Sequence, residues 1–328
     1  MNKPLVSICI PTYNRADYLV QTIESALAQN YDNLEIIVSD NHSTDNTQEV
    51  IKQFKIDKRF TYYYNERNVG MVNNWRLTLD SRVNGEWFLI LSDDDYLINN
   101  SYISEAINII QNNPDVNMVY ANGYIEHTAL GIQKELNLPY DTVEDGKNIF
   151  FTKHKVSPQA FTLCNILFNT DLAKKFNSFS NPHNLACDSE LFLKTCLQGK
   201  VGVIKKYSSV YRLHGSNLIT QKRTYEQLIA LATDLLISPH ILAQQTEGFT
   251  KKELDNREKE VVVPGLKDIL FSISELDPKL LSIAVEQLSG RGIDINKFFH
   301  DPLFLIKLQL TKSKKLLKIA KKIKNIMR

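Results

Sequence analysis

Apolar positions in the first 125 residues follow two alternating rhythms. Residues 5–10 (LVSICI) form a short, mostly β-branched run closed by Pro11. Such a run predicts a buried strand. Behind it Leu19, Ile23, Ala26 and Leu27 share one helical face, with Asn14 as the expected cap. Residues 34–38 (LEIIV) predict a second strand. Val50, Ile51 and Phe54 predict a helix entered at Ser43 and Thr44. Residues 60–64 and 87–91 read as a third and a fourth strand, 116–121 as another. Ile103, Ala106, Ile107 and Ile110 mark a further helix.

Strands that alternate with helices at short spacing predict an α/β fold with a mostly parallel, doubly wound sheet. Such sheets bind ligands outside the carboxyl ends of their strands. The polar motifs fall at those ends: TYN after the first strand, SDNHSTDN after the second, NERNVG after the third and SDDD after the fourth. Past residue 125 the pattern loosens. Segment 126–160 reads as a loop-rich stretch over the site, 188–199 as a helix, 201–204 and 210–213 as short strands. From about residue 221 the chain reads as helical throughout. The expected division is a domain at 1–220 and a helical accessory region at 221–328.

Composition is that of an ordinary globular chain, 43% hydrophobic with a net charge of +2. The charge is uneven. Residues 312–328 hold eight basic side chains and no acidic one, which leaves about −6 for the remainder (+2 minus +8). Leu316, Ile319, Ile323 and Ile326 share one helical face of that segment, among lysines. A basic amphipathic helix suits an anionic membrane surface, or else packs on the body with its lysines in water. No aromatic residue interleaves with the lysines, which disfavours nucleic acid. Cys9, Cys164, Cys187 and Cys196 form no close pair, so a disulfide framework or zinc site is not expected and a reducing cytoplasm fits. The first apolar stretch is cut by Pro11 and does not read as a signal peptide. No apolar run is long enough to predict a membrane-spanning helix.

Asp93, Asp94 and Asp95 follow the fourth strand directly. They either cap the next helix in a solvated turn or form half of a cation site. Mg²⁺ or Mn²⁺ is held by one or two carboxylates together with substrate phosphates, so a nucleotide diphosphate would supply the other half. Pro11 and Tyr13 offer an aromatic face for a base, Asp40 an acceptor for a base N–H, and Asn68 a tight turn at the same edge. Arg67 and Arg76 are available to phosphate, and Ser43 and Asp45 read as helix caps.

VSICIPTYNR, IIVSDNHSTDNT, NVG and LSDDDYL, in this order over residues 4–215, resemble the nucleotide-binding half of family-2 glycosyltransferases with the GT-A fold. The resemblance implies inverting transfer from a nucleotide-sugar donor, usually a UDP-sugar, with Mn²⁺ or Mg²⁺. By position it implies uracil contacts for Tyr13 and Asp40. It makes Asp93 and Asp95 the outer residues of a DXD motif, with Asp94 between them and Asp95 on the metal side. Asp188, ahead of a helix, matches the family's general base. Its other reading is an N-cap, and Glu190 is the second choice. His214, with Arg212 two residues before it, matches a stretch near the diphosphate and metal.

The resulting expectation is a bacterial surface-polysaccharide enzyme acting on a glycan or polyprenyl-linked acceptor. It would be cytoplasmic, and peripheral on the inner membrane through 312–328. Self-association is another use open to the helical region. The rivals are a sugar nucleotidyltransferase, which wants a Gly-rich basic phosphate loop where PTYNR stands, and a non-catalytic nucleotide-sugar-binding scaffold. A processive synthase would need membrane-spanning helices and a QxxRW motif, and neither is found.

Overall fold

The computed structural model describes residues 3–155, 162–215 and 222–311. Two compact units are present, Met1–Pro182 with Cys187–Gln221, and His183–Ala186 with Lys222–Arg328. The basic segment 312–328 lies outside the described residues.

The first unit is built on one sheet. Its strands are β1 (Val6–Thr12), β2 (Leu34–Asp40), β3 (Phe60–Tyr64), β4 (Trp87–Ile90), β5 (Tyr96–Leu97), β6 (Val116–His127), β7 (Ile132–Leu136), β8 (Val143–Asp145), β9 (Ile166–Asn169) and β10 (Lys200–Leu213). The main path runs β3-β2-β1-β4-β9-β6-β10-β5, with β7 on β6 and β8 on β10. β1 pairs in parallel with both β2 and β4, and β2 with β3. Ile8, Ile10, Ile36, Val38 and Leu89 are fully buried in this region. Burial on both faces is why these strands read as unbroken apolar runs.

Three readings change in the second half of the unit. β9 inserts antiparallel between β4 and β6, a strand the sequence reading lacks. Of the expected loop-rich stretch 126–160, the described residues 126–155 supply β7, β8 and the helix Gly146–Thr152. The two short strands expected at 201–204 and 210–213 are one strand, β10. Its ladder to β6 is irregular between Ile204 and Ser209, where polar residues interrupt the apolar pattern. The helix expected at 188–199 runs Cys187–Cys196.

In the second unit Leu228, Ala232, Val262, Leu266, Leu270, Ala284, Leu288, Phe298 and Phe304 form one apolar core. Thr224 with Gln227, and Thr250 with Glu253, make reciprocal capping boxes at two helix starts. Two stretches, Leu231–Ile237 and Glu258–Val262, are wound more widely than an α-helix. No helix among the described residues is long and apolar enough to cross a membrane.

His240 is fully buried in this unit, beside Gln244 at 3.2 Å. Burial, followed by nearby Arg257, pushes its pKa down to about 4. An unfolded histidine takes up its proton near pH 6.5. The unfolded chain therefore binds the extra proton first. Stability is intact above pH 6.5 and falls as the pH drops toward 4, by about 1.4 kcal/mol per pH unit at most. Denaturant unfolding of the full chain at pH 7 and pH 5 should show this loss in the helical unit, and His240→Leu should remove that part of the slope.

Candidate active site

Parallel pairing brings the carboxyl ends of β1 to β4 to one edge, and the loops there are laced together. Asn14 sits at φ 53°, in the left-handed region that asparagine tolerates. Its N–H donates to Ser43 Oγ (2.9 Å), and its Oδ1 accepts from the Thr44 N–H (2.7 Å). Asp45 reaches back to accept from the Ala16 N–H (3.1 Å). The helix Ala16–Leu27 is thus capped from the neighbouring loop, and Asn14 is not its cap. Below this edge lies a buried polar network. Arg82 donates to Ser39 Oγ and Asn65 Oδ1, both at 2.5 Å. Asn74 Oδ1 accepts from Ser39 Oγ (2.6 Å) and Asn65 Nδ2 (2.9 Å), while Asn74 Nδ2 donates to the Ser39 carbonyl (2.9 Å).

All three aspartates are buried, and each has its own partners. Asp93 accepts from the Tyr13 N–H (3.3 Å) and from Arg15 Nη1 (3.2 Å). Asp94 Oδ2 meets Arg15 Nη1 and lies 2.9 Å from His214 Nε2. Asp95 Oδ1 accepts the backbone N–H of Arg212 (2.9 Å). Thr22 Oγ1 lies 2.8 and 2.7 Å from the Asp93 and Asp95 carbonyl oxygens, and its single proton serves one at a time. Burial pushes Asp93 up to about 7, with Arg15 opposing and Asp94 adding. Burial, followed by the charge of Asp94, raises Asp95 as well.

The pairing of β5 with β10 explains why His214 meets this turn. Tyr96 stands opposite Val210, which delivers the end of β10 to the aspartates. His214 also stacks on Tyr18, with ring centroids 5.4 Å apart. Arg212 is held against the rings of Tyr18 (5.2 Å) and Tyr96 (4.4 Å) and donates to Gln21. It is a support, with its guanidinium committed to the protein.

Asp188 stands in the first turn of the helix Cys187–Cys196. Burial raises its pKa, with the Ser189 N–H and Lys153 opposing. Lys153 is pushed down by burial and lies over the Phe192 ring at 5.3 Å. Glu190 is taken by an ion pair with Lys194 at 2.5 Å. Tyr211 ties the parts together. Burial raises its hydroxyl pKa, and the charges of Asp95, Asp94 and Asp188 raise it further. Tyr211, which the sequence reading passed over, thus feels the charge of both the aspartate turn and Asp188.

The remaining candidates separate by position. Pro11 is partly buried, and the Tyr13 ring is 45% exposed and open to a stacking partner. Asp40 is corrected. It has no exposed surface, and its oxygens accept from the Ser43 N–H (2.8 Å) and the Tyr62 hydroxyl (2.6 Å). A base reaching Asp40 must first part Tyr62 or the turn at Ser43. Asn68 shapes its own turn, accepting from Asn41 Nδ2 and the Gly70 N–H, both at 2.9 Å. Gly70 sits there at φ 85°. Arg76 is partly buried and pairs with Asp80 (3.3 Å). Asp95, the expected metal-side aspartate, accepts a backbone amide on one oxygen, and Asp94 is the aspartate beside His214.

Among the described residues no three His, Cys, Asp or Glu side chains are placed to enclose a metal ion. An open pair, Asp94 with His214, fits the way Mg²⁺ or Mn²⁺ is held when phosphates complete the shell.

The family model of glycosyl transferase family 2 matches residues 7–166. Those residues belong to that family. The chain is 32% identical over 199 residues to an uncharacterized glycosyltransferase of Rickettsia typhi, covering 58% of each. It is 27% identical over 230 residues to WcaA of Escherichia coli K12, named for colanic acid biosynthesis, covering 67% of this chain and 76% of that one. The chain thus spans little more than half the length of the Rickettsia relative. S. aureus TarS 1–349, solved with UDP-GlcNAc, superposes with a TM-score of 0.59 at 18% identity, over 85% of this chain and 87% of that one. The family-2 domain has the GT-A fold.

Asn74→Ala should cost the protein about 1–3 kcal/mol, since it removes a partner shared by the buried Ser39 hydroxyl, the Ser39 carbonyl and the Asn65 amide. Equilibrium denaturation measures this directly, and a change below about 0.5 kcal/mol would mean the network is dispensable.

Proposed function

We propose that the chain is a metal-dependent inverting glycosyltransferase that moves a sugar from a nucleotide-sugar donor, a UDP-sugar, to a hydroxyl of a glycan or polyprenyl-linked acceptor. The observation that carries this reading is the buried aspartate turn held against His214 at the carboxyl edge of the parallel strands. Asp94 lies beside His214, and Asp188 stands on a separate helix. Inverting transfer needs such a separation, because the acceptor attacks from the face opposite the leaving diphosphate. Asp94 and His214 would hold Mn²⁺ or Mg²⁺ with the donor's phosphates. When bound, the ion stabilises the charge that grows on the departing diphosphate. The exposed ring of Tyr13 would stack on the base beside Pro11. Asp188 would take the acceptor's proton, and its raised pKa brings it closer to the range a general base needs.

Bacterial surface-polysaccharide assembly is supported by the names of two relatives, WcaA and the teichuronic acid biosynthesis protein TuaG of Bacillus subtilis, the latter 38% identical over 94 residues. In this reading residues 1–220 are catalytic. The helical remainder serves the acceptor, self-association or a membrane surface, with 312–328 as a peripheral contact on the cytoplasmic face of the inner membrane.

A panel of UDP-, GDP- and dTDP-sugars, each with Mn²⁺ and with EDTA, tests the reading through thermal shift and slow donor hydrolysis. One donor should stabilise the protein in a metal-dependent way. Asp188→Asn should lower turnover by about 10² to 10⁴-fold while donor affinity holds. Asp94→Asn should abolish the metal-dependent part of donor binding. Undiminished turnover in Asp188→Asn would falsify the base assignment.

A further inference from the structure

Arg15 opens the helix Ala16–Leu27, and its backbone carbonyl accepts from the Tyr18 and Leu19 N–H groups, both at 3.1 Å. The backbone is therefore fixed and the side chain is the movable part. Its Nη1 spans two neighbouring carboxylates, Asp93 Oδ1 at 3.2 Å and Asp94 Oδ2. A divalent ion bridging the turn would need the same place. Asp94 Oδ2 is also the oxygen that His214 Nε2 approaches at 2.9 Å. A carboxylate oxygen has two lone pairs, and both are spoken for. An ion can reach this oxygen only if one neighbour leaves.

Of the cations here, Arg15 is the one able to leave. Its side chain is 26% exposed, whereas Arg212 is clasped by two tyrosine rings and Gln21. The guanidinium has a destination too. Its planar fork matches a phosphate as well as it matches a carboxylate. A nucleoside diphosphate arriving with the ion therefore offers Arg15 a new partner at the moment it loses the old one.

We propose that Arg15 is a resident counter-ion of the aspartate turn, displaced by a divalent ion that arrives with a nucleoside diphosphate. On this basis the protein binds the ion alone weakly and binds it tightly only together with the nucleotide. The inference rests on the metal-dependent reading above, and its test separates the two.

Free Mn²⁺ would be measured by electron paramagnetic resonance in titrations of the full chain, with and without UDP. In the unaltered protein UDP should raise Mn²⁺ affinity by at least about tenfold. Arg15→Gln should raise the affinity for Mn²⁺ alone by about tenfold, because no charge-assisted bond has to be broken, and should shrink the gain from UDP. Arg15→Lys keeps a cation without the fork, and should fall between the two. It serves as the test should Arg15→Gln not fold. If Mn²⁺ binds with UDP but neither variant takes up Mn²⁺ alone better than the unaltered protein, Arg15 is a fixed clamp and only this inference fails. If the unaltered protein binds no Mn²⁺ with or without UDP, the metal-dependent reading fails with it.

Discussion

Three carboxylates in consecutive positions cannot be buried unless positive or proton-donating groups meet each of them. Asp93–Asp95 are buried, and the groups that meet them come from places far apart in the chain. The first loop gives the Tyr13 N–H and Arg15. The helix after it gives Thr22 to the turn's carbonyls. The last strand gives the Arg212 N–H and His214. Each donor has to be carried to the turn by its own element. That requirement fixes β1, the helix Ala16–Leu27, β5 and β10 relative to the end of β4. The parallel ladder sets the edge, and the aspartates set what is brought to it.

A second layer of support lies beneath the loops. The Ser39–Asn65–Asn74–Arg82 network is buried and satisfied on most of its polar atoms. Such networks hold one geometry, since any shift leaves a buried donor or acceptor without its partner. The network sits directly under Asp40 and the turns that follow β2 and β3. A nucleotide binding at this edge would meet a largely prearranged surface, with the exposed Tyr13 ring and the Arg15 side chain as its adjustable parts.

The first four strands were legible because parallel strands buried on both faces announce themselves locally, as short apolar runs closed by polar motifs. The clustering of those motifs was legible for the same reason, since parallel strands put all their carboxyl ends on one side. The second half was not. β9 is four residues long, and what makes it a strand is antiparallel pairing with β4 and β6, a long-range fact. β10 looked like two strands because its polar middle at Lys205 and Lys206 breaks the apolar pattern where the ladder bulges. Within the site, sequence marked the aspartate turn, Asp188 and His214. It could not tell which aspartate faces His214, because register within a turn is set by hydrogen bonds such as that from Arg212 to Asp95. Asp40 looked available because it ends a strand, yet Tyr62 and Ser43 enclose it. Arg15 and Tyr211 carried no signal at all, since an arginine in a loop and a tyrosine in a strand have many ordinary uses.

The partnership of β5 with β10 also sets a timetable. The aspartate turn is synthesised more than a hundred residues before His214, and those two groups lie 120 positions apart. A chain emerging from the ribosome can assemble β1 to β4 early, from nearby contacts. It then carries an acid turn whose partners on β10 have yet to be made. β10 adds to the edge of β6, and β5 joins the sheet only through β10. That edge of β6 therefore stays unpaired until residues 200–213 arrive. Until that late strand docks, the nascent protein has the aspartate turn in outline but no His214 beside Asp94, so this edge is completed last by the order of synthesis itself.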